Sequence, residues 1–219
     1  AGVRTFCHTS SIATIGGNGE IATESDVWDP NRTNAYATSK YLGEMEVWRG
    51  GLEGLETVIV NPGVILGAGD WERGSGRFFS AVDGGLRYTL PGGTGFVGVR
   101  DVVRCMLALT EGGHTGKRYI LVSENRSYAE VFEDIAGALQ RPAPKWLLKP
   151  WLLEILWRLD WLRSALTRAP RKLSRDTARS LRHRKRYDNR RVKDVLDFEF
   201  EPIKTVINRT AKQFRERES

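Results

Sequence analysis

The stretch Asn34-Ala-Tyr-Ala-Thr-Ser-Lys-Tyr-Leu-Gly-Glu44 sets Tyr36 and Lys40 four residues apart. In a helix, positions i and i+4 share a face, so the Lys40 ammonium can lie beneath the Tyr36 phenol and favour its phenolate. A phenol ordinarily titrates near pH ~10. Beside a cation it can exchange a proton with an alcohol or carbonyl closer to neutrality. About one βα unit upstream, Ser10-Ser11 closes an apolar run, and a hydroxyl there could orient the same oxygen. The Tyr–Lys spacing alone carries little, because it arises by chance in roughly one chain in three of this length at average composition. The segments around it carry the weight.

Working outward, Val3-Arg-Thr-Phe-Cys-His-Thr-Ser-Ser-Ile12 reads as a buried strand ending in hydroxyls. Glu56-Thr-Val-Ile-Val-Asn-Pro-Gly-Val-Ile-Leu-Gly67 reads as a second strand running into a Pro-Gly turn. Strand, Tyr-x-x-x-Lys helix and Asn-Pro-Gly-Val strand, in this order and spacing, resemble the extended short-chain dehydrogenase/reductase family, within the NAD-dependent epimerase/dehydratase superfamily. The greatest likeness is to its dihydroflavonol-reductase and 3β-hydroxysteroid-dehydrogenase branches, where His-Thr-Ser-Ser-Ile, Tyr-Ala-x-Ser-Lys and Asn-Pro-Gly-x-x-x-Gly are familiar. The resemblance implies an α/β fold, the C-terminal part of a Rossmann-like doubly wound parallel sheet with a mostly helical substrate lobe. It makes Tyr36 the catalytic acid/base and Lys40 the partner that lowers its pKa and holds the nicotinamide ribose. Ser11 matches the substrate-orienting serine, with Ile12 beside it, and Ser10 is the fallback if the register slips by one. Pro62, Gly63 and Val64 match the turn whose backbone faces the nicotinamide carboxamide. On the residues alone, Ser10 and Ser11 also read as a strand end satisfying its own backbone, and Tyr36 as an ordinary aromatic on an amphipathic helix.

No glycine-rich strand-to-helix turn of the kind that cradles a dinucleotide pyrophosphate occurs in these 219 residues. Gly16-Gly-Asn-Gly19 follows a short polar stretch, precedes no helix pattern and is a weak phosphate candidate. The first half of the resembling family has no counterpart here. Residue 1 falls just before what would be the fifth strand of a sheet ordered 3-2-1-4-5-6-7. The sequence thus leads to the expectation of a fragment, or of a protein whose other half lies on a second polypeptide. NAD or NADP is the implied cofactor, bound weakly by this chain alone, and the first strand is expected to offer an open edge for the missing N-terminal half or for self-association.

Along the rest of the chain the pattern is α/β and then α. Residues 75–83 read as a short helix and Lys117-Arg-Tyr-Ile-Leu-Val-Ser123 as a third strand, while 87–90 resembles the family's short substrate-lobe strand. Phe96 to Leu109 resembles the stretch in which the family starts a helix with Val-Arg-Asp-Val, where Asp101 suits the positive end of the helix dipole. Ser127 with Glu130 forms a capping box for a helix through Gln140. We divide the chain into a partial Rossmann-like α/β domain with the catalytic motif (1–140), a basic Trp-rich helical substrate lobe (141–191) and a C-terminal helical segment (192–219).

Charge is concentrated in the middle division: residues 141–191 hold 16 Lys and Arg against 4 Asp and Glu, while residues 1–140 hold 12 against 17. Trp146, Trp151, Trp157 and Trp161 stand there among leucines. Such a mixture fits a substrate lobe packing its apolar faces on the α/β body or over the substrate cleft with its cations solvated, or a helix on an anionic membrane surface. Nucleic acid is not expected, because no nucleic-acid motif is present. The two cysteines read as buried thiols, and His8, His114 and His183 show no metal-ligand spacing with either. With no apolar run of membrane-spanning length and no targeting segment at its start, the sequence is expected to be cytoplasmic. The expected activity is NAD(P)-dependent reduction of a ketone, or oxidation of a secondary alcohol, on a bulky apolar small molecule. The alternatives are a nucleotide-sugar epimerase/dehydratase and a catalytically silent fragment.

Overall fold

The computed structural model describes residues 2–17, 19–30, 34–167 and 183–217. β1 (Thr5–Thr9) leads through one 3-10 turn at Ile12–Thr14 to the two-residue β2 (Ile21–Ala22) and the long helix α1 (Ala35–Leu52). β3 (Glu56–Pro62) passes Gly63 into β4 (Val64–Leu66), followed by α2 (Gly76–Asp83), β5 (Tyr88–Thr89), β6 (Gly93–Gly98) and α3 (Val99–Glu111). Next come β7 (Lys117–Leu121), β8 (Glu124–Ser127), α4 (Tyr128–Leu139), β9 (Trp146–Leu147) and α5 (Pro150–Thr167). The described chain ends with β10 (Arg186–Tyr187), α6 (Arg190–Leu196) and α7 (Ile203–Glu216).

Val58, Ile59 and Val60 are fully buried because β3 is the middle strand of a parallel sheet ordered β1-β3-β7. An uninterrupted β-branched run belongs in a parallel strand covered on both faces. At Gly63 the chain crosses into a second three-stranded sheet, β4-β6-β8, and glycine is required there. A Cβ on residue 63 would stand 2.4 Å from the Gly95 carbonyl oxygen of β6. Among the described residues β1 has β3 as its one paired neighbour, and Phe6 on it and Val3 just before it are exposed.

Three apolar clusters line these sheets, the smallest joining Ile12 and Ile15 to Ile120, Val122 and Tyr187. Val102, Cys105 and Leu109 of α3 pack with Val58, Val60, Tyr119 and Val192. Leu66, Phe79 and Phe96 pack with Val131 and Ile135 of α4 and with Val206, Ile207 and Phe214 of α7. The C-terminal helix therefore lies in the core of the α/β body, where each fully buried Val, Ile or Phe contributes about 1.5–3 kcal/mol. α4 carries the capping box: the Ser127 hydroxyl accepts from the Glu130 N–H and the Glu130 carboxylate accepts from the Ser127 N–H.

The lobe departs from expectation. Trp146, Trp151 and Trp161 do not bury their rings against the α/β body but are 65%, 57% and 48% exposed. α5 carries Trp151, Leu152, Ile155, Trp157, Leu159 and Trp161 around its circumference, so whichever side packs, an apolar side is left outward. Residues 168–182, expected to continue this basic lobe, lie outside the described residues. No helix among the described residues is long and apolar enough to cross a membrane.

Candidate active site

The site is built where β1 ends. Ser10 and Ser11 are both buried but point to different tasks. The Ser10 hydroxyl donates to Glu44 Oε1 at 2.5 Å, which binds it into the scaffold. Ser11 has an extended backbone and caps the 3-10 turn, its Oγ accepting from the Ala13 N–H at 3.1 Å. Its own O–H donates to no described group, so Ser11 is the serine free to bind an outside oxygen.

α1 brings Tyr36, Lys40 and Glu44 to one face at successive turns. Asn34 starts the helix by accepting the Ala37 N–H on Oδ1 at 2.8 Å, satisfying one of the backbone donors a helix start leaves open. Glu44 is fully buried and receives Thr14 Oγ1 at 2.6 Å and Asn61 Nδ2 at 2.6 Å on the oxygen that Ser10 also reaches. Three donors on one oxygen suit a carboxylate. Its other oxygen is 3.6 Å from Arg118 Nη1 of β7. Arg118 is anchored in turn on the carbonyls of Glu24 and Asp26, both at 2.8 Å. This buried cluster fixes α1 against β1, the 3-10 turn, β3 and β7 at once.

One turn back along the same face, Lys40 Nζ donates to the Thr9 carbonyl at 3.2 Å, two residues before Ser11. One further turn back, Tyr36 is 56% exposed, its carbonyl accepting the Ser39 hydroxyl at 2.9 Å. His8 of β1 lies near this face. Burial first, and then the Lys40 charge, hold its pKa below the ordinary value, against a smaller opposing pull from Glu44. Its Nε2 is buried without a hydrogen-bond partner.

The Pro62-Gly63-Val64 turn stands at the carboxyl end of β3, the end at which open α/β sheets bind ligands. The Gly63 N–H donates to the Leu121 carbonyl at 3.0 Å, and Val64 pairs with Phe96 of β6. Asn61, just before the turn, also donates to the Ser11 carbonyl at 3.2 Å and so ties the turn to the serine. Of the residues singled out from sequence, Lys40 and Ser11 are brought together at the end of β1, Tyr36 extends the same helix face, and Pro62 to Val64 are joined to them through Asn61. Sequence reasoning missed the work of Glu44, Asn61 and Arg118. The signal available was the i+4 spacing of Glu44 from Lys40; Arg118 gave none. Cys7 and Cys105 are free thiols, burial and the nearby Asp101 charge pushing Cys105 up to about 12. No group of acidic, His and Cys residues that could hold a metal occurs among the described residues.

Residues 1–121 match the sequence profile of the NAD dependent epimerase/dehydratase family. A Synechocystis protein provisionally named a dihydroflavonol 4-reductase is 32% identical over 182 residues, covering 78% of this chain and 52% of its own. A Methylococcus capsulatus protein named sterol demethylase protein B is 29% identical over 160 residues, covering 70% of this chain and 48% of its own. The chain thus spans about half the length of these curated relatives. A solved nucleoside-diphosphate-sugar epimerase from Pseudomonas aeruginosa superposes with a TM-score of 0.76 at 22% identity, over 96% of this chain and 66% of that one; at that identity the likeness is one of fold.

Proposed function

Because the chain belongs to the NAD-dependent epimerase/dehydratase family, we propose that it forms the nicotinamide and substrate side of an NAD(P)-dependent oxidoreductase. The reaction is reduction of a ketone, or oxidation of a secondary alcohol, on a bulky apolar substrate. The observation that carries this reading is the bond from Lys40 Nζ to the Thr9 carbonyl, which sets the Tyr-x-x-x-Lys face of α1 against the strand end bearing Ser11.

When bound, the nicotinamide supplies the hydride to the carbonyl carbon, or accepts it in the reverse direction. Tyr36 donates its phenolic proton to the carbonyl oxygen as that oxygen becomes an alcohol. The Ser11 O–H binds the same oxygen and holds it toward the phenol. The Lys40 ammonium favours the phenolate that is left. In the oxidation direction the phenolate takes the proton back. Lys40 and Tyr36 would also hold the ribose, and the Pro62-Gly63-Val64 turn the carboxamide. These residues fit the nicotinamide side alone. Gly16 of the Gly-rich loop is accounted for by packing: a Cβ there would stand 1.7 Å from the Val27 carbonyl oxygen.

An apolar substrate is supported by the names of the two curated relatives and by the Trp- and Leu-rich lobe. A second reading, epimerisation or dehydration of a sugar nucleotide, uses the same three residues and is supported by the reactions for which the family is named. The test is to read the sequence encoded immediately upstream and, where it supplies a glycine-rich βαβ segment in frame, to join the chain to it. NAD(P)H consumption is then followed with polycyclic ketones and with sugar nucleotides. Ketone-dependent consumption that Ser11→Ala sharply reduces is the expected result. Sugar-nucleotide conversion without net NAD(P)H consumption would establish the second reading, and a stop codon or frameshift upstream would make the chain a silent product.

A further inference from the structure

Lys145-Trp-Leu-Leu-Lys149 and the nearby Trp151 set two cations among two tryptophans at the entry to α5. All but Leu148 of these residues are exposed where their side chains are described, Trp146 and Leu147 by 65% and 59%. Tyr88 stands directly opposite Trp146 in the β5–β9 pair and is also exposed, so the two rings share one face of the ladder. One turn beyond Trp151, exposed Ile155 continues the apolar face. No described element packs extensively against α5. Monomeric proteins rarely leave apolar patches of this kind to water unless they are used.

We propose that this face docks on an anionic lipid surface, with Trp146, Leu147 and Trp151 entering the headgroup–acyl boundary and Lys145 and Lys149 on lipid phosphates. Rings with a polar edge, aliphatic side chains and flanking lysines match the three layers of such an interface. Charge selects the occupant. Between residues 145 and 151 the face carries Lys145 and Lys149 and no acidic residue, so pairing it with a second copy would set like charges against one another, whereas an anionic bilayer neutralises them. Because no described helix is long and apolar enough to cross a membrane, this contact is peripheral. It is independent of the oxidoreductase reading, and its test requires no turnover.

The experiment is co-flotation of the 219-residue chain with phosphatidylcholine vesicles, with and without phosphatidylserine, at low and high salt. Flotation separates lipid-bound protein from self-associated material, which sinks. The chain should float with the phosphatidylserine vesicles and be released by salt. Lys145→Gln with Lys149→Gln should lower partition about thirtyfold, about fivefold for each cation at an anionic surface. Trp146→Ser and Trp151→Ser should each lower it by roughly tenfold with unchanged circular dichroism, and Trp146→Phe should restore most of the loss. No flotation, or flotation indifferent to these substitutions, overturns the proposal. So does a discrete dimer in ultracentrifugation that Trp146→Ser dissolves while flotation is absent, because the face would then belong to a second copy.

Discussion

Glu44 holds three hydrogen-bond donors on one oxygen, with the Arg118 guanidinium near the other, and is shut off from solvent. Removing one member of a buried pair leaves the other charged and uncompensated, so Glu44→Ala should cost about 3–5 kcal/mol. A urea unfolding midpoint close to wild type would contradict this. Tyr36 is the opposite case. Its ring is half exposed, so Tyr36→Phe should change stability by less than about 0.5 kcal/mol. In a fusion of the chain to a nucleotide-binding βαβ half, the same change should lower turnover about 10²–10⁴-fold; near-normal turnover would refute the proposed acid/base role. His8 gives a pH signature. Burial, then Lys40, keep its folded-state pKa below the ordinary 6.5, so the unfolded chain takes up a proton first as pH falls. Its contribution is intact above pH 6.5 and is lost as pH falls through the folded-state pKa. Glu130 and Asp188, also depressed, start from 4.5 and 3.8 and act at lower pH. His8→Gln should therefore flatten the stability profile just below pH 6.5, and a wild-type slope there would contradict the assignment. Tyr36, Lys40 and Ser11 were legible as candidates because their spacing is local. The division between Ser10 and Ser11 was not, since it depends on Glu44 reaching back across the fold, and the Arg118 contact depends on a strand pairing that no local pattern announces.

Elements with local signatures were legible. The Ser127–Glu130 box, the Val-Arg-Asp-Val helix start and the strand into Pro62-Gly63 all carry their cues within a few residues, and α4, α3 and β3 form there. β6 was hidden. Gly93-Thr-Gly-Phe-Val-Gly98 has the glycine content of a loop, yet its glycines are where neighbours close in: a Cβ on Gly93 would meet the Arg126 carbonyl oxygen at 2.7 Å, and one on Gly95 the Val122 side chain at 2.5 Å. β8, Glu124-Asn-Arg-Ser127, is polar because it is an antiparallel strand at the rim of that sheet, and nothing in its composition marks it. The outward Trp side chains of α5 were misjudged because an apolar circumference does not say which side packs. The close approach at the sheet crossing is itself testable. Gly63→Ala drives a methyl into the Gly95 carbonyl oxygen at 2.4 Å, where backbone rather than a flexible side chain must yield. A loss of about 1–3 kcal/mol by thermal or urea unfolding is expected, and an unperturbed protein would mean that β3 and β6 are not so close.

At the scale of the whole molecule, the chain joins the residues proposed for proton transfer to a sheet on which no described segment offers a glycine-rich grip for a dinucleotide phosphate. Parallel strands β1, β3 and β7 bring their carboxyl ends to one side, the usual side for a ligand; Ser11, Lys40 and the Pro62 turn stand at the ends of the first two, and Tyr36 lies one helical turn before Lys40. What anchors a pyrophosphate, a glycine-rich turn opening onto a helix N-terminus, is absent from these 219 residues. The nicotinamide-side contacts proposed for Lys40 and Val64 would be too few to replace it. The outer edge of β1, where Phe6 is exposed, presents N–H and C=O groups with no described strand beside them, a template for another chain. That arrangement was foreseeable from the order of motifs, whereas the packing of α7 into the central core was not, because its amphipathic face says only that it packs, not on what. The central claim, that these residues hold the chemistry of the reaction without the nucleotide grip, is tested most directly by calorimetric titration of the 219-residue chain with NADH and NADPH, with light scattering on the same samples. The account predicts very weak binding of both and a self-associating chain; a monodisperse monomer with micromolar affinity for either would contradict it.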